Sequence, residues 1–321
     1  MTDGPRIANA PCSWGLIGRD GIEVGYQRML DELVAAGYRG TELGDWGFMP
    51  TDPARLEAEL DARDLTLLGG FVAVDLGDEA AVAHEADAVL RVARNLAYAG
   101  RTERPPYLIL ADRDGLLPWR ARHGGRIASE DETEPHELAR IGERVTALAR
   151  LVRGETGLRT AFHPHVAGRI ETPNEIAGLL AASDPTVVDL VFDTAHYVYG
   201  TGRSDDRGVL ALDGLERFWD RIGTVHLKDC SAEVAARARR EGWSYEDAVR
   251  AGLYCELGRG SIDMALLLRR LIERGYDDWL TVEQDVFPGQ GTPFDSALRN
   301  HRAVLAWWEE ARRAAPPGSG A

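Results

Sequence analysis

Positive charge, cysteine and long apolar runs are what this 321-residue chain has least of. Lysine and arginine total 37 against 52 aspartates and glutamates, leaving a formal net charge of −15. A surface of that sign repels phosphate backbones and anionic lipid, so nucleic acid and membrane are poor partners. The three cysteines, Cys12, Cys230 and Cys255, are odd in number and far apart. They fit a reduced compartment and exclude a disulfide framework. No stretch approaches the roughly 18 apolar residues of a membrane span. The opening "MTDGPRIANAPCSWG" lacks the basic start and apolar stretch of a signal peptide, so a cytoplasmic protein is expected. A glycine-rich phosphate fingerprint after the first strand is missing too. The G-R-G of "ELGRGSID" (256–263) follows no strand and reads as a plain turn.

What the chain does have is alternation. Eight short apolar runs, at 6–14, 39–44, 65–74, 107–112, 158–165, 189–196, 222–229 and 279–285, have the near-continuous apolarity of parallel strands buried on both faces. Amphipathic helices lie between them. One ends at Gly37, a C-cap residue. Another starts at Asp52-Pro53, an N-cap followed by proline at the first helical position. Eight strand–helix pairs indicate an α/β fold, a (β/α)8 TIM barrel filling residues 1–312 as one domain, with 313–321 a disordered tail. The competing arrangement, an open doubly wound sheet with an extra domain, lacks its fingerprint. Long stretches after the fourth and seventh strands read as lids or site walls.

In such a barrel the C-terminal strand ends form the active site. Polar residues stand there repeatedly: Glu42, Asp112, His163 with His165, Asp193 with His196, His226 with Lys228 and Asp229, and Glu283 with Asp285. All are expected to converge on one axial pocket. His163, Asp193, His226 and Glu283, from neighbouring strands five to eight, offer two imidazoles and two carboxylates. That donor set suits Mn²⁺, Co²⁺, Fe²⁺ or Zn²⁺ better than an all-oxygen Mg²⁺ or Ca²⁺ cage. Lys228 suits either a salt bridge or proton transfer and oxyanion stabilisation. Trp14 and Trp46 are candidates for an apolar wall against a substrate ring. Cys12, near the mouth, has no neighbouring base and reads as a small buried residue.

The pieces "APCSWG", "GYRGTELGDWGFMP", "LTLLGGF", "FHPHVAGRIET", "VFDTAHYVYG", "VHLKD", "ELGRGSID" and "WLTVEQD" resemble those of the xylose-isomerase-like TIM barrels, the sugar phosphate isomerase/epimerase superfamily. The resemblance spans roughly residues 6–310 and is closest to the inosose dehydratase branch. It implies a metal held by Asp193, His226 and Glu283, with His163 where isomerases and epimerases carry glutamate. That exchange weakens a two-glutamate epimerase and is compatible with dehydration. The resemblance further implies contacts to substrate oxygens at His196 and His165 and a pocket position for Glu42. Glu171 and Asp229 are further candidates for substrate binding beside Trp14 and Trp46, Asp229 being equally suited to capping its loop.

The expected activity is that of a metal-dependent hydro-lyase, removing water from a keto-inositol or similar polyhydroxy ketone through an enediolate. Lys228, His196 and Glu283 are the candidate catalytic groups. Mn²⁺ or Co²⁺ is the first expectation, with Fe²⁺, Zn²⁺ or Mg²⁺ behind. The alternative is a ketose isomerase or epimerase using the same centre. A barrel-type endonuclease is disfavoured by the charge, and a non-catalytic sugar-binding relative by the intact ligand set. The loop after strand seven could pair two copies into a homo-oligomer.

Overall fold

In the computed structural model, which describes residues 4–14, 24–100, 104–203, 208–287 and 289–314, eight parallel strands close on themselves. They are β1 (Ile7–Asn9), β2 (Gly40–Glu42), β3 (Thr66–Val74), β4 (Tyr107–Asp112), β5 (Thr160–Phe162), β6 (Val188–Asp193), β7 (Ile222–Leu227) and β10 (Leu280–Val282). Their order around the barrel is β1-β10-β7-β6-β5-β4-β3-β2. The expected eight strands are therefore all present, and the open sheet is excluded. Between β7 and β10, Asp229–Cys230 (β8) and Tyr254–Cys255 (β9) form a small antiparallel pair outside the barrel.

Local signals explain several boundaries. Tyr26–Ala36 (α1) ends on Gly37 at φ 104°, a left-handed conformation that favours glycine. A Cβ there would also lie 2.6 Å from the His301 ring. Pro53–Asp61 (α2) starts under Asp52, whose carboxylate accepts the Arg55 N–H at 2.8 Å. The sixth apolar run stops short of its expected end because Asp193 caps a helix. Its Oδ1 accepts the N–H groups of Ala195 and His196, and Thr194–Gly200 (α3) begins there. His196 thus stands on a helix rather than on a strand. The last helix, Pro293–Ala314, outruns the expected domain end by two residues; the rest of the proposed tail lies outside the described residues.

Strand pleating sorts the side chains. Phe162, Phe192, Val225, Leu227, Leu280 and Val282 face outward into the main core beneath the helices. The alternate residues face the barrel axis, where Ile109, Ala161 and Val191 form a small inner cluster with Phe71. Two residues on from Ala161, Val191, Thr224 and Thr281 stand His163, Asp193, His226 and Glu283. Asp193 lies opposite His226, and Glu283 stands two residues beyond Thr281, the partner of His226, so the pleat turns all four toward the axis. Among the described residues no helix is long and apolar enough to cross a membrane.

Candidate active site and metal centre

A cavity of about 500 Å³ opens at the C-terminal strand ends. Its lining mixes apolar side chains, Pro11, Phe48, Phe71 and Ile109, with polar ones, Glu42, Asp45, His163, His165, His226, Glu283 and Asp285, and with Cys12. A larger groove, about 660 Å³, runs over the outer surface past Glu130, Glu132 and Glu134 and holds no histidine. The chemistry-bearing groups belong to the barrel mouth.

His163, Asp193, His226 and Glu283 each bring one donor atom to within 4.8 Å of the others. Their hydrogen bonding shows what the cluster lacks. His163 Nδ1 donates to Pro164 O at 3.0 Å, so Nε2 carries a lone pair. Burial, then repulsion from His165 and His226, holds that imidazole well below its ordinary pKa and therefore neutral. Its Nε2 stands 4.0 Å from Asp193 Oδ2. Both atoms are buried, and among the described residues neither has a hydrogen-bond partner. Two lone pairs facing each other without a proton are costly in a protein interior. A cation between them removes the cost, so the residues fit a divalent metal. Burial otherwise pushes Asp193 up to about 7.

His226 lies between two carboxylates, with Nδ1 3.0 Å from Glu283 Oε2 and Nε2 2.8 Å from Glu42 Oε1. Burial alone would lower its pKa, but Glu42 and Glu283 outweigh it and raise the imidazole well above its ordinary value. Glu283 shows the opposite balance. Burial would raise it, yet Lys228 and His226 hold it well below the carboxylate range.

Lys228 is the sole lysine of the chain. Its buried Nζ lies 2.7 Å from Glu283 Oε1, 3.0 Å from Asp285 Oδ2 and 4.2 Å over the Tyr254 ring. Burial works against the charge, but Asp285 and Glu283 keep the group an ammonium. Held as an ammonium between two carboxylates, Lys228 is poorly placed for the proton-taking role expected of it. His196, another candidate for proton transfer, sits behind the cavity wall. Its Nδ1 accepts the Val166 N–H at 3.1 Å and lies 3.3 Å from Tyr254 Oη. Among the imidazoles outside the four-residue group, His165 does line the cavity, kept from charging mainly by burial and packed 4.2 Å from the His163 ring.

Several expected substrate contacts lie elsewhere. Trp14 is buried against α1, its Nε1 donating to Glu32 at 2.7 Å. Trp46 is 41% exposed and does not line the cavity; its apolar lining is Pro11, Phe48, Phe71 and Ile109 instead. Glu171 accepts the N–H groups of Gly125 and Ala167 at 2.6 and 2.7 Å, pinning two loops together. Asp112 turns away to pair with Arg169 at 2.9 Å. Asp229 is fully buried and accepts four backbone N–H groups, from Cys230, Gly258, Gly260 and Ile262. Those last three amides belong to "ELGRGSID", so this glycine-bearing turn does cradle an anion, and the anion is the chain's own. A Cβ on Gly260 would fall 2.1 Å from Asp229 Oδ1.

Residues that went unread include Tyr254 and Tyr245, whose buried hydroxyls meet at 3.0 Å behind Lys228. Nothing in "SYEDAVRAGLYC" signals this. Phe71 was legible as an alternate position of the third strand, and Asp285 as a strand-end acid.

Comparison with known proteins finds relatives in sequence and in fold. An inosose dehydratase of Geobacillus kaustophilus is 29% identical over 294 residues, covering 91% of each chain. One from Lacticaseibacillus casei is 30% identical over 283 residues, covering 87% of this chain and 88% of the relative. Among solved structures, the IolI protein with a binding zinc atom superposes with a TM-score of 0.67 at 14% identity, covering 95% of this chain and 99% of that one. The probable 3-DHS dehydratase AsbF from Bacillus anthracis gives 0.65 at 13% identity, over 93% and 98%. A family profile described as a xylose isomerase-like TIM barrel matches residues 30–311, and the chain belongs to that family.

Proposed function

We propose that this protein is a hydro-lyase that removes water from a keto-inositol, or a closely similar cyclic polyhydroxy ketone, with His163, Asp193, His226 and Glu283 holding a divalent cation. The observation that carries the reading is the two lone pairs on His163 and Asp193, without partners among the described residues, beside a cavity lined by both polar and apolar side chains. Inosose dehydratase relatives covering most of the chain support the same reaction class. Two imidazoles with two carboxylates suit Mn²⁺ or Co²⁺ first, with Zn²⁺ and Fe²⁺ next. When bound, such an ion polarises the substrate carbonyl and acidifies the neighbouring carbon.

The chain's own groups supply the rest. The apolar side chains of the lining take the ring face, and the polar ones take the hydroxyls. His165, neutral and on the cavity wall, is the group poised to accept the α-proton, leaving an enediolate. The β-hydroxyl then departs as water with the proton returned from His165, so one C–H and one C–OH bond break, a C=C bond forms and the imidazole ends neutral. Lys228, unable to give up its charge while Glu283 and Asp285 flank it, stabilises negative charge rather than moving a proton. We read the protein as cytoplasmic, acting as one barrel domain on a small uncharged substrate.

The test combines metal analysis with a substrate panel. Purified protein should carry or take up about one divalent ion per chain, lose turnover on chelation and recover with Mn²⁺ or Co²⁺. With an inosose it should form an unsaturated or diketone product that absorbs in the ultraviolet. Isomerised ketohexose without loss of water would instead establish the isomerase chemistry.

A further inference from the structure

We infer that Glu42 is a positioning residue for the metal centre, fixing which nitrogen of His226 faces the ion, rather than a contact for substrate. The inference rests on the metal centre proposed above.

A neutral imidazole carries one N–H, and whichever nitrogen is to bind a cation must be the other one. The two histidines of the centre solve this in different ways. His163 gives its Nδ1–H to a backbone carbonyl, Pro164 O, and presents Nε2. His226 is turned the other way. Its Nδ1 faces Glu283, a member of the four-residue group, while its Nε2 faces Glu42, which is not. Glu42 Oε1 lies 2.8 Å from Nε2, so when an ion displaces the Nδ1 proton the Nε2 proton stays hydrogen-bonded to Glu42 and the Nδ1 lone pair faces the centre.

Glu42 reaches this position from far away. It stands on β2, separated around the barrel from β7 by β1 and β10. Its side chain crosses the cavity mouth to a partner 184 positions along the chain, and the contact is buried. Pairing between β2 and β3 slips by one residue at this point, Thr41 facing Leu67 and Glu42 facing Gly69. Such irregularities are common where a strand delivers a side chain to a site. Gly69 is tight as well, since a Cβ there would meet Ile109 Cδ1 at 2.8 Å.

The test is direct binding of Mn²⁺ and of Co²⁺ to metal-free protein by calorimetry, read with the visible absorption of the Co²⁺ form. Glu42→Ala should weaken Co²⁺ binding roughly 10- to 100-fold and shift the cobalt spectrum. Glu42→Gln keeps an oxygen for the Nε2 proton and should recover most of the affinity. In a His226→Ala background, Glu42→Ala should add nothing, because its route to the ion has gone. If the alanine variant does not fold, Glu42→Met, of similar volume, carries the same comparison. Unchanged Co²⁺ affinity and spectrum in the alanine or methionine variant, with a raised KM for inosose, would make Glu42 a substrate contact and overturn the inference. A wild type that binds neither ion would sink the metal centre itself, and this inference with it.

Discussion

His163 Nε2 and Asp193 Oδ2 confront each other across 4.0 Å inside the barrel, each buried and each without a hydrogen-bond partner among the described residues. The arrangement makes thermal stability depend on the ion. At 100 times its dissociation constant a ligand of the native state adds about 2.7 kcal/mol. Saturating Mn²⁺ or Co²⁺ should therefore raise the melting temperature of chelated protein by several degrees. Asp193→Asn, which keeps one acceptor for the α3 N–H groups, should abolish most of that increment. A melting curve indifferent to the ion would contradict the centre.

Asp229 offers a test with no catalytic content. Its carboxylate satisfies four backbone N–H groups, and Asp229→Ala strands all of them. Buried donors left unpaired cost about 1–3 kcal/mol each where water cannot reach them. Urea titration should show a loss of roughly 3 kcal/mol or more, and Asp229→Asn should fall between that variant and wild type.

Glu171 predicts a pH dependence with a definite sign. Burial is the main cause raising its carboxyl from an ordinary value of 4.5 to about 7. The folded state therefore holds this proton more tightly than the unfolded chain. The corresponding stability is fully present below about pH 4.5 and is lost as pH rises toward 7. The span is about 3 kcal/mol. Stability measured as wild type minus Glu171→Gln should decline across that window. A flat difference would show the carboxylate to be ionised throughout, held by the Gly125 and Ala167 N–H groups.

Lys228→Met should cost more than a lost contact. It leaves Glu283 and Asp285 facing each other without their shared cation, and breaking a buried pair in this way costs about 3–5 kcal/mol. Arginine has the charge but a larger planar head. Lys228→Arg should restore some stability while leaving turnover low, as measured by denaturation and initial rates on the same preparations.

The barrel was legible because its signals are local and repeated. Apolar runs buried on both faces, a glycine at the end of α1 and Asp52-Pro53 ahead of α2 each have one physical meaning. The convergence of His163, Asp193, His226 and Glu283 was legible for a related reason, since pleating carries every second residue of a strand to the axis. What could not be read was commitment. Asp229, Glu171 and Asp112 share the chemistry and the strand-end or loop placement of true pocket residues. Only the fold shows their oxygens already engaged by backbone amides or by Arg169. Trp14 and Trp46 failed differently, because a strand-end or loop aromatic can turn toward a helix or toward water. The Tyr254–Lys228 contact joins a peripheral two-residue strand to the barrel axis, and no spacing rule links them.

The solitary lysine has a practical consequence. Amine-directed dyes and cross-linkers find only two primary amines in the chain, and one of them is sealed between two acids and an aromatic face. On folded protein such reagents should mark the α-amino terminus alone. Any ε-amino adduct, located by peptide mapping, then serves as a clock for opening of the catalytic end of the barrel.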